Sequence, residues 1–197
     1  MIERLIVATG NSGKLKEIRA RLASAVEVKG LRDLDSNIEI VEDADSFEGN
    51  ALKKVTAVFD VIRLPCLSDD SGLEVDALDG RPGVHSARFG GPGLSDAGRC
   101  EYLLKQLTKI PEQRRTARFR AVLAYLAPGK DPVFFHGTLE GRIATAPAGT
   151  HGFGYDPVFI PNGYDRPLAV LGPELKARIS HRALALDKFQ AFMQQKP

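Results

Sequence analysis

The chain has 197 residues, of which 43% are hydrophobic and 26% charged, and its formal net charge at pH 7 is +2. This balance suits a globular protein long enough to bury its own core, and it excludes a disordered, fibrous or disulfide-stapled chain. The near-zero net charge offers no basic field for a nucleic acid or an anionic membrane, and no apolar run is long enough to span a bilayer. The apolar run in "MIERLIVATG" is too short for a secretory signal, so the expected compartment is the cytoplasm. Cys66 and Cys100 have neither metal-ligand nor redox spacing and read as reduced thiols packed as small hydrophobes.

The elements follow in chain order. "RLIVAT" reads as a short buried strand that breaks at Gly10-Asn11, and a helix follows through Leu15, Ile18 and Leu22, capped by Asn11 or Ser12. Ser46 is an N-cap candidate for a second helix, with Phe47, Ala51, Val55 and Val58 as its apolar stripe and Asn50 and Lys53 on another face. "PCLSD" and "GLEVDAL" read as two extended pieces around a turn at Asp69–Gly72. "GRPGVHSARFGGPG" is a loop, and Ser95 caps a helix through Tyr102, Leu103 and Leu107. "ARFRAVLAYL" and "PVFFHGTLEG" read as strands, "TAPAGTHGFGYDP" as a glycine-rich loop, and a last helix carries Ala185, Phe189, Phe192 and Met193. The expected class is α/β, in one compact body.

Five segments carry chemistry. "TGNSGK", residues 9–14, lies between a strand and a helix, where backbone N–H groups, the helix N-terminus and Lys14 all favour an anion. It is not a P-loop, because Ala8 replaces the required glycine and Leu15 the Ser or Thr after the lysine. Asp69 and Asp70 are paired carboxylates at a strand end, suited to Mg²⁺ or to taking a proton from water. "VEDADSFEGNALKK" offers Glu42 before a helix, and Asn50 and Lys53 upon it. "GTHGFGYDP" sets Phe153 and Tyr155 among glycines, an arrangement that a planar ligand stacking on Phe153 would explain. "KARISHRALAL" contributes Lys176, His181 and Arg182, donors suited to a carbonyl oxygen or a phosphate. Taken singly, each segment also has a structural reading as a turn, cap or solvated face; together they list the parts of a nucleotide site.

In the motifs "VATGNSGKLKEI", "EDADSFEGNALKK", "LSDDSGLEVDALDGRPGVHSARFGG", "ARFRAVLAYL", "EGRIATAPAGTHGFGYDPVF" and "ISHRALAL", the chain resembles the inosine triphosphate pyrophosphatase family nearly end to end and in order. The resemblance implies a single domain over residues 1–197: a mixed central sheet flanked by helices, in two lobes with the active-site cleft between them. It also implies Mg²⁺ dependence, a homodimer, and purine nucleoside triphosphates rather than nucleic acid or membrane as partners. By the same resemblance Thr9, Gly10, Asn11, Ser12, Gly13 and Lys14 would bind the triphosphate, and Ser71 would touch substrate. Asp70 would be the catalytic base and, with Glu42, a metal ligand; Asp69 or Asp70 would orient the water, and Lys53 would neutralise phosphate charge. Phe153, Gly154, Tyr155, Asp156, Lys176, His181 and Arg182 would surround base and sugar. Ala183 after "SHR", where the family usually has glycine, and His85, where an aromatic is common, depart from the pattern.

The expected reaction is hydrolysis of non-canonical purine triphosphates (ITP, dITP, XTP) to the monophosphate and pyrophosphate, by water attack at the α-phosphorus. Arg182 is expected to donate to the C6 oxygen of the base, which adenine lacks. The competing readings are a related pyrimidine-preferring pyrophosphatase, a nucleotide-binding sensor without turnover, and a nucleic-acid-binding module that the charge disfavours.

Overall fold

A computed structural model of the chain describes residues 2–34 and 38–195. Its elements are β1 (Arg4–Ala8), α1 (Ser12–Leu22), β2 (Glu27–Gly30), α2 (Phe47–Ile62), β3 (Cys66–Val75), α3 (Asp96–Gln106), β4 (Thr116–Leu126), β5 (Val133–Ile143), β6 (Phe159–Pro161), α4 (Leu168–Leu171), α5 (Pro173–Ile179) and α6 (His181–Gln194). One six-stranded sheet has the order β2-β1-β3-β4-β5-β6. Strand β1 runs parallel to β2 and β3, whereas β6 is antiparallel to β5, so the sheet is mixed and flanked by helices, as expected.

The helices begin where the sequence signals them. Asn11 Oδ1 accepts from Lys14 N at 3.0 Å, Ser46 Oγ from Gly49 N at 3.0 Å and Ser95 Oγ from Gly98 N at 3.1 Å, each satisfying an N–H that the first turn leaves open. Strand β1 is apolar and buried from Leu5 to Ala8, the pattern of a parallel strand covered on both faces. Contacts divide the chain into two compact units: Met1–Asp70 with Ala121–Gly137 and Arg182–Pro197, and Ser71–Arg120 with Thr138–His181. The first is built on Leu5, Val7, Ile18, Leu67, Leu123 and Phe189; the second on Leu73, Leu103, Leu107, Phe119, Val158 and Phe159. Both cysteines are buried and free, and burial pushes each thiol up to about 12.

Three readings change. The expected turn at Asp69–Gly72 is absent: β3 runs unbroken from Cys66 to Val75. Its first five residues are all buried, so both faces are covered and polar Ser68, Asp69 and Asp70 interrupt only the composition, not the strand. The "GVHSAR" loop forms a 3₁₀ turn over Gly83–Arg88. Helices α4 and α5 carry too few turns to show a hydrophobic period in sequence.

Candidate active site

Alternation along β3 decides what the two aspartates do. Successive strand residues point to opposite faces, so Asp69 and Asp70 acquire different partners although they are neighbours in sequence. Asp69 receives the Lys14 ammonium at 2.7 Å and Arg182 Nε at 2.7 Å, and is wholly buried. Burial alone would raise its pKa, but Arg182 and Lys14 outweigh it and hold the carboxyl well below the usual carboxylate range. Asp70 Oδ1 accepts from Lys54 Nζ at 2.7 Å, and the same ammonium reaches Glu42 Oε2 at 2.7 Å. Asp70 Oδ2 is buried with no partner among the described residues.

The two carboxylates therefore differ in basicity. Burial, opposed by Lys54, leaves Asp70 above the ordinary aspartate value. Lys54 is held up in turn: its own burial is outweighed by Asp70 and Glu42. Lys14, half-buried beside Arg182 and Lys54, is lowered by desolvation despite its bond to Asp69. Asp69 is thus a locked anion, and Asp70 a carboxylate with one oxygen uncommitted.

The two adjacent lysines of α2 take different environments. Lys53, expected at the site, is half-exposed and pairs with Asp43 at the surface; Lys54 holds the buried position. The helical period explains this, because the buried face of α2 is Phe47, Asn50, Ala51, Lys54, Val55 and Val58, and Lys54 lies one turn after Asn50 on it. Asn50, expected on another face with Lys53, lies on this buried face instead. Glu17, also missed, sits one turn after Lys14 on α1 and accepts from Arg182 Nη1 at 2.5 Å. Arg182 is therefore not presented as an open donor: it is 2% exposed, and its Nε and Nη1 engage Asp69 and Glu17.

The "TGNSGK" turn uses part of its own backbone: Thr9 N donates to Val7 O at 3.0 Å and Lys14 N to Asn11 Oδ1 at 3.0 Å. Thr9 Oγ1 accepts from Asn11 N at 3.2 Å, and a Cβ placed on Gly10 would meet nothing within 4 Å. The amide end of α1 over Ser12 and Gly13 thus keeps the anion-favouring character expected of it.

In the second unit the aromatic loop is built around Asp156. Its Oδ2 accepts from Phe153 N at 2.9 Å and from Lys176 Nζ at 2.5 Å, and the Lys176 ammonium lies 4.3 Å from the centroid of the Phe153 ring. Gly152, at φ +84°, permits this: a Cβ there would overlap Asp156 Oδ2. Gly154 N donates to Asp96 Oδ2 at 2.7 Å. Tyr155 is buried, its hydroxyl donating to Ser86 O at 2.9 Å, so its side chain braces the loop from behind. His181 stacks on Phe119 with centroids 4.8 Å apart. Ser71 is half-buried on β3 directly after Asp70.

A model of the Ham1 family matches residues 5–192. The chain belongs to the Ham1 family. It is 46% identical over 193 residues to a protein of Porphyromonas gingivalis named dITP/XTP pyrophosphatase, covering 98% of each chain. It is 48% identical to a protein of the same name from Symbiobacterium thermophilum, covering 94% of this chain and 92% of that one. The solved structure of a HAM1 protein from Coxiella burnetii superposes with TM-score 0.90 at 33% identity, over 99% of this chain and all of that one. The resemblance read from the motifs is borne out over nearly the whole Ham1 chain, as is the mixed α/β sheet.

A divalent cation fits the Ham1 carboxylates. Asp70 and Glu42 converge on one ammonium, Asp70 Oδ2 is buried and unsatisfied, and carboxylates outnumber cations in the linked set of Lys14, Lys54 and Arg182 with Asp69, Asp70, Glu17 and Glu42. Among the described residues no group of three or more His, Cys, Asp and Glu forms a closed cage. Two carboxylates completed by water and substrate phosphates are what Mg²⁺ takes, a hard cation that dehydrates reluctantly.

Proposed function

We propose that this Ham1-family chain hydrolyses non-canonical purine nucleoside triphosphates (ITP, dITP, XTP) to the monophosphate and pyrophosphate, removing them from the nucleotide pool. The observation that carries the mechanism is the uncommitted, buried Oδ2 of Asp70 beside the Lys54 ammonium. The relatives are named dITP/XTP pyrophosphatase, which supports the substrate class.

Asp70 is the base, not Asp69. A carboxylate held down by two cations is a poor proton acceptor, whereas one raised by burial takes a proton more readily. Asp70 receives a proton from the water that attacks the α-phosphorus, and the bond to the β-phosphate oxygen breaks. Lys54, in the role expected of Lys53, stabilises charge gathering on the phosphates, and Lys14 with Thr9–Gly13, through the first-turn amides of Ser12 and Gly13, receives the triphosphate. Asp70 and Glu42 would hold Mg²⁺, which when bound neutralises phosphate charge and polarises the phosphoryl oxygens. Ser71 touches substrate and is not a nucleophile. Phe153 stacks on the base, and Gly154, Asp156, Lys176, His181 and Arg182 line base and sugar, Arg182 from the position in which Asp69 and Glu17 hold it. Residues 1–197 act as one pyrophosphatase domain, as a homodimer, in the cytoplasm. No helix among the described residues is long and apolar enough to cross a membrane.

The test is a panel of purine and pyrimidine triphosphates with Mg²⁺, scored for pyrophosphate against orthophosphate. ITP, dITP and XTP should release pyrophosphate equimolar with the monophosphate, and EDTA should abolish turnover. Orthophosphate as first product would refute attack at the α-phosphorus.

A further inference from the structure

Glu42 poses a problem that its own side chain does not solve. Its carboxylate reaches Lys54 at 2.7 Å, yet the side chain is 46% exposed and residues 41–44 lie in no helix or strand. A half-exposed carboxylate on irregular backbone keeps a fixed position only if the backbone itself is held. On the α2 face that carries Lys54, one turn earlier, stands Asn50, a polar side chain 1% exposed. Its Oδ1 accepts from Ala44 N at 2.9 Å and its Nδ2 donates to Ala44 O at 3.2 Å. The amide thus pairs with both backbone groups of one residue, as a neighbouring strand would. Gly49 supports the same approach from the next position: a Cβ there would fall 2.8 Å from Ala44 Cβ and 3.1 Å from Ser46 Oγ. Ser46 in turn caps α2 through Gly49 N, so the chain four residues beyond Glu42 is also fastened to the first turn of the helix.

We propose that Asn50 is a positioning residue for the reaction: it clamps Ala44 so that Glu42 stands opposite Lys54 and Asp70. The i, i+4 spacing is the core of the device. One helical face supplies both the amide that fixes the loop and the ammonium that meets the loop's carboxylate, so the distance from Glu42 to Asp70 is referred to a single rigid element. This rests on the reading that Asp70 and Glu42 hold the cation. Groups that orient metal ligands from behind typically change metal affinity by about 10–100-fold when removed.

The experiment compares wild type, Asn50→Ala and Gly49→Ala by amide hydrogen exchange and by the Mg²⁺ concentration giving half-maximal pyrophosphate release. In Asn50→Ala the Ala44 amide should exchange at least about tenfold faster, and half-saturating Mg²⁺ should rise by about tenfold or more, while the nucleotide KM at saturating Mg²⁺ stays at its wild-type value. Gly49→Ala leaves Asn50 in place but pushes on Ala44, and should raise half-saturating Mg²⁺ in the same direction; it carries the test if Asn50→Ala does not fold. An Ala44 amide that is unaffected in Asn50→Ala, or one that exchanges faster with no change in Mg²⁺ dependence, overturns the proposal and leaves Asn50 a loop tie. Wild-type turnover indifferent to Mg²⁺ would instead overturn the reading of the reaction on which it rests.

Discussion

Lys54 and Asp70 form a buried ion pair, Nζ to Oδ1 2.7 Å, that occupies one oxygen of the aspartate and leaves the other without a partner among the described residues. On the proposed mechanism the pair couples a proton acceptor to a phosphate-facing cation, and its two members should fail in distinguishable ways.

The lysines are adjacent and chemically identical, which makes them a clean comparison. Lys54→Ala should lower kcat by about a hundredfold or more, the scale of losing one preorganised electrostatic donor. Lys53→Ala, whose ammonium pairs with Asp43 in solvent, should leave kcat and KM near wild type. Steady-state kinetics on ITP at saturating Mg²⁺ decide between them, and equal losses in both variants would return the role to Lys53.

Asp70→Asn keeps shape and removes basicity, so turnover should fall by at least about a hundredfold. Its stability should move the other way. Burial raises the Asp70 pKa, so the charged form opposes folding, and that penalty grows as pH rises through the folded pKa. Neutralising the residue should therefore leave Tm in EDTA at neutral pH unchanged or higher. A variant that unfolds would show that the Asp70–Lys54 pair is structural.

Asp69 carries the opposite sign. Its folded pKa is depressed, so the stability it contributes is fully present above the unfolded aspartate value of about 3.9 and is lost as pH falls below it toward the folded pKa. Asp69→Asn leaves buried Arg182 and half-buried Lys14 against a neutral amide and should cost about 3–5 kcal/mol at pH 7. Urea unfolding at several pH values should show the variant less stable at neutrality, with the difference closing in acid. A constant difference between pH 7 and pH 3 would assign the loss to packing.

Phe153→Ala removes a stacking surface common to every base, worth roughly 1–3 kcal/mol. kcat/KM for ITP and ATP should fall by similar factors and keep their ratio. Because Lys176 lies over the Phe153 ring and Asp156 holds both, Asp156→Ala should reproduce that loss through loop geometry, with the Phe153 amide losing its protection from exchange. A selective loss on ITP alone would make Phe153 a specificity contact.

Much of this protein was determined by its sequence alone. The caps at Asn11, Ser46 and Ser95, the buried run of β1 and the strands β4 and β5 follow from local rules, because each depends on residues within a few positions. The family followed from motif order, and the residue types at the site with it. What only the tertiary structure decided is partnership across long sequence separations. Asp69 meets Arg182 from 113 residues away, and Asp70 meets Lys54 from 16, on opposite faces of a strand whose continuity no local signal announced. Local chemistry offers the same carboxylate twice in "DDSG"; burial and the cations brought to each face make one a locked anion and leave the other with an uncommitted oxygen. The same holds for "KK", where a single step around the helix, about 100°, separates a solvated lysine from a buried one.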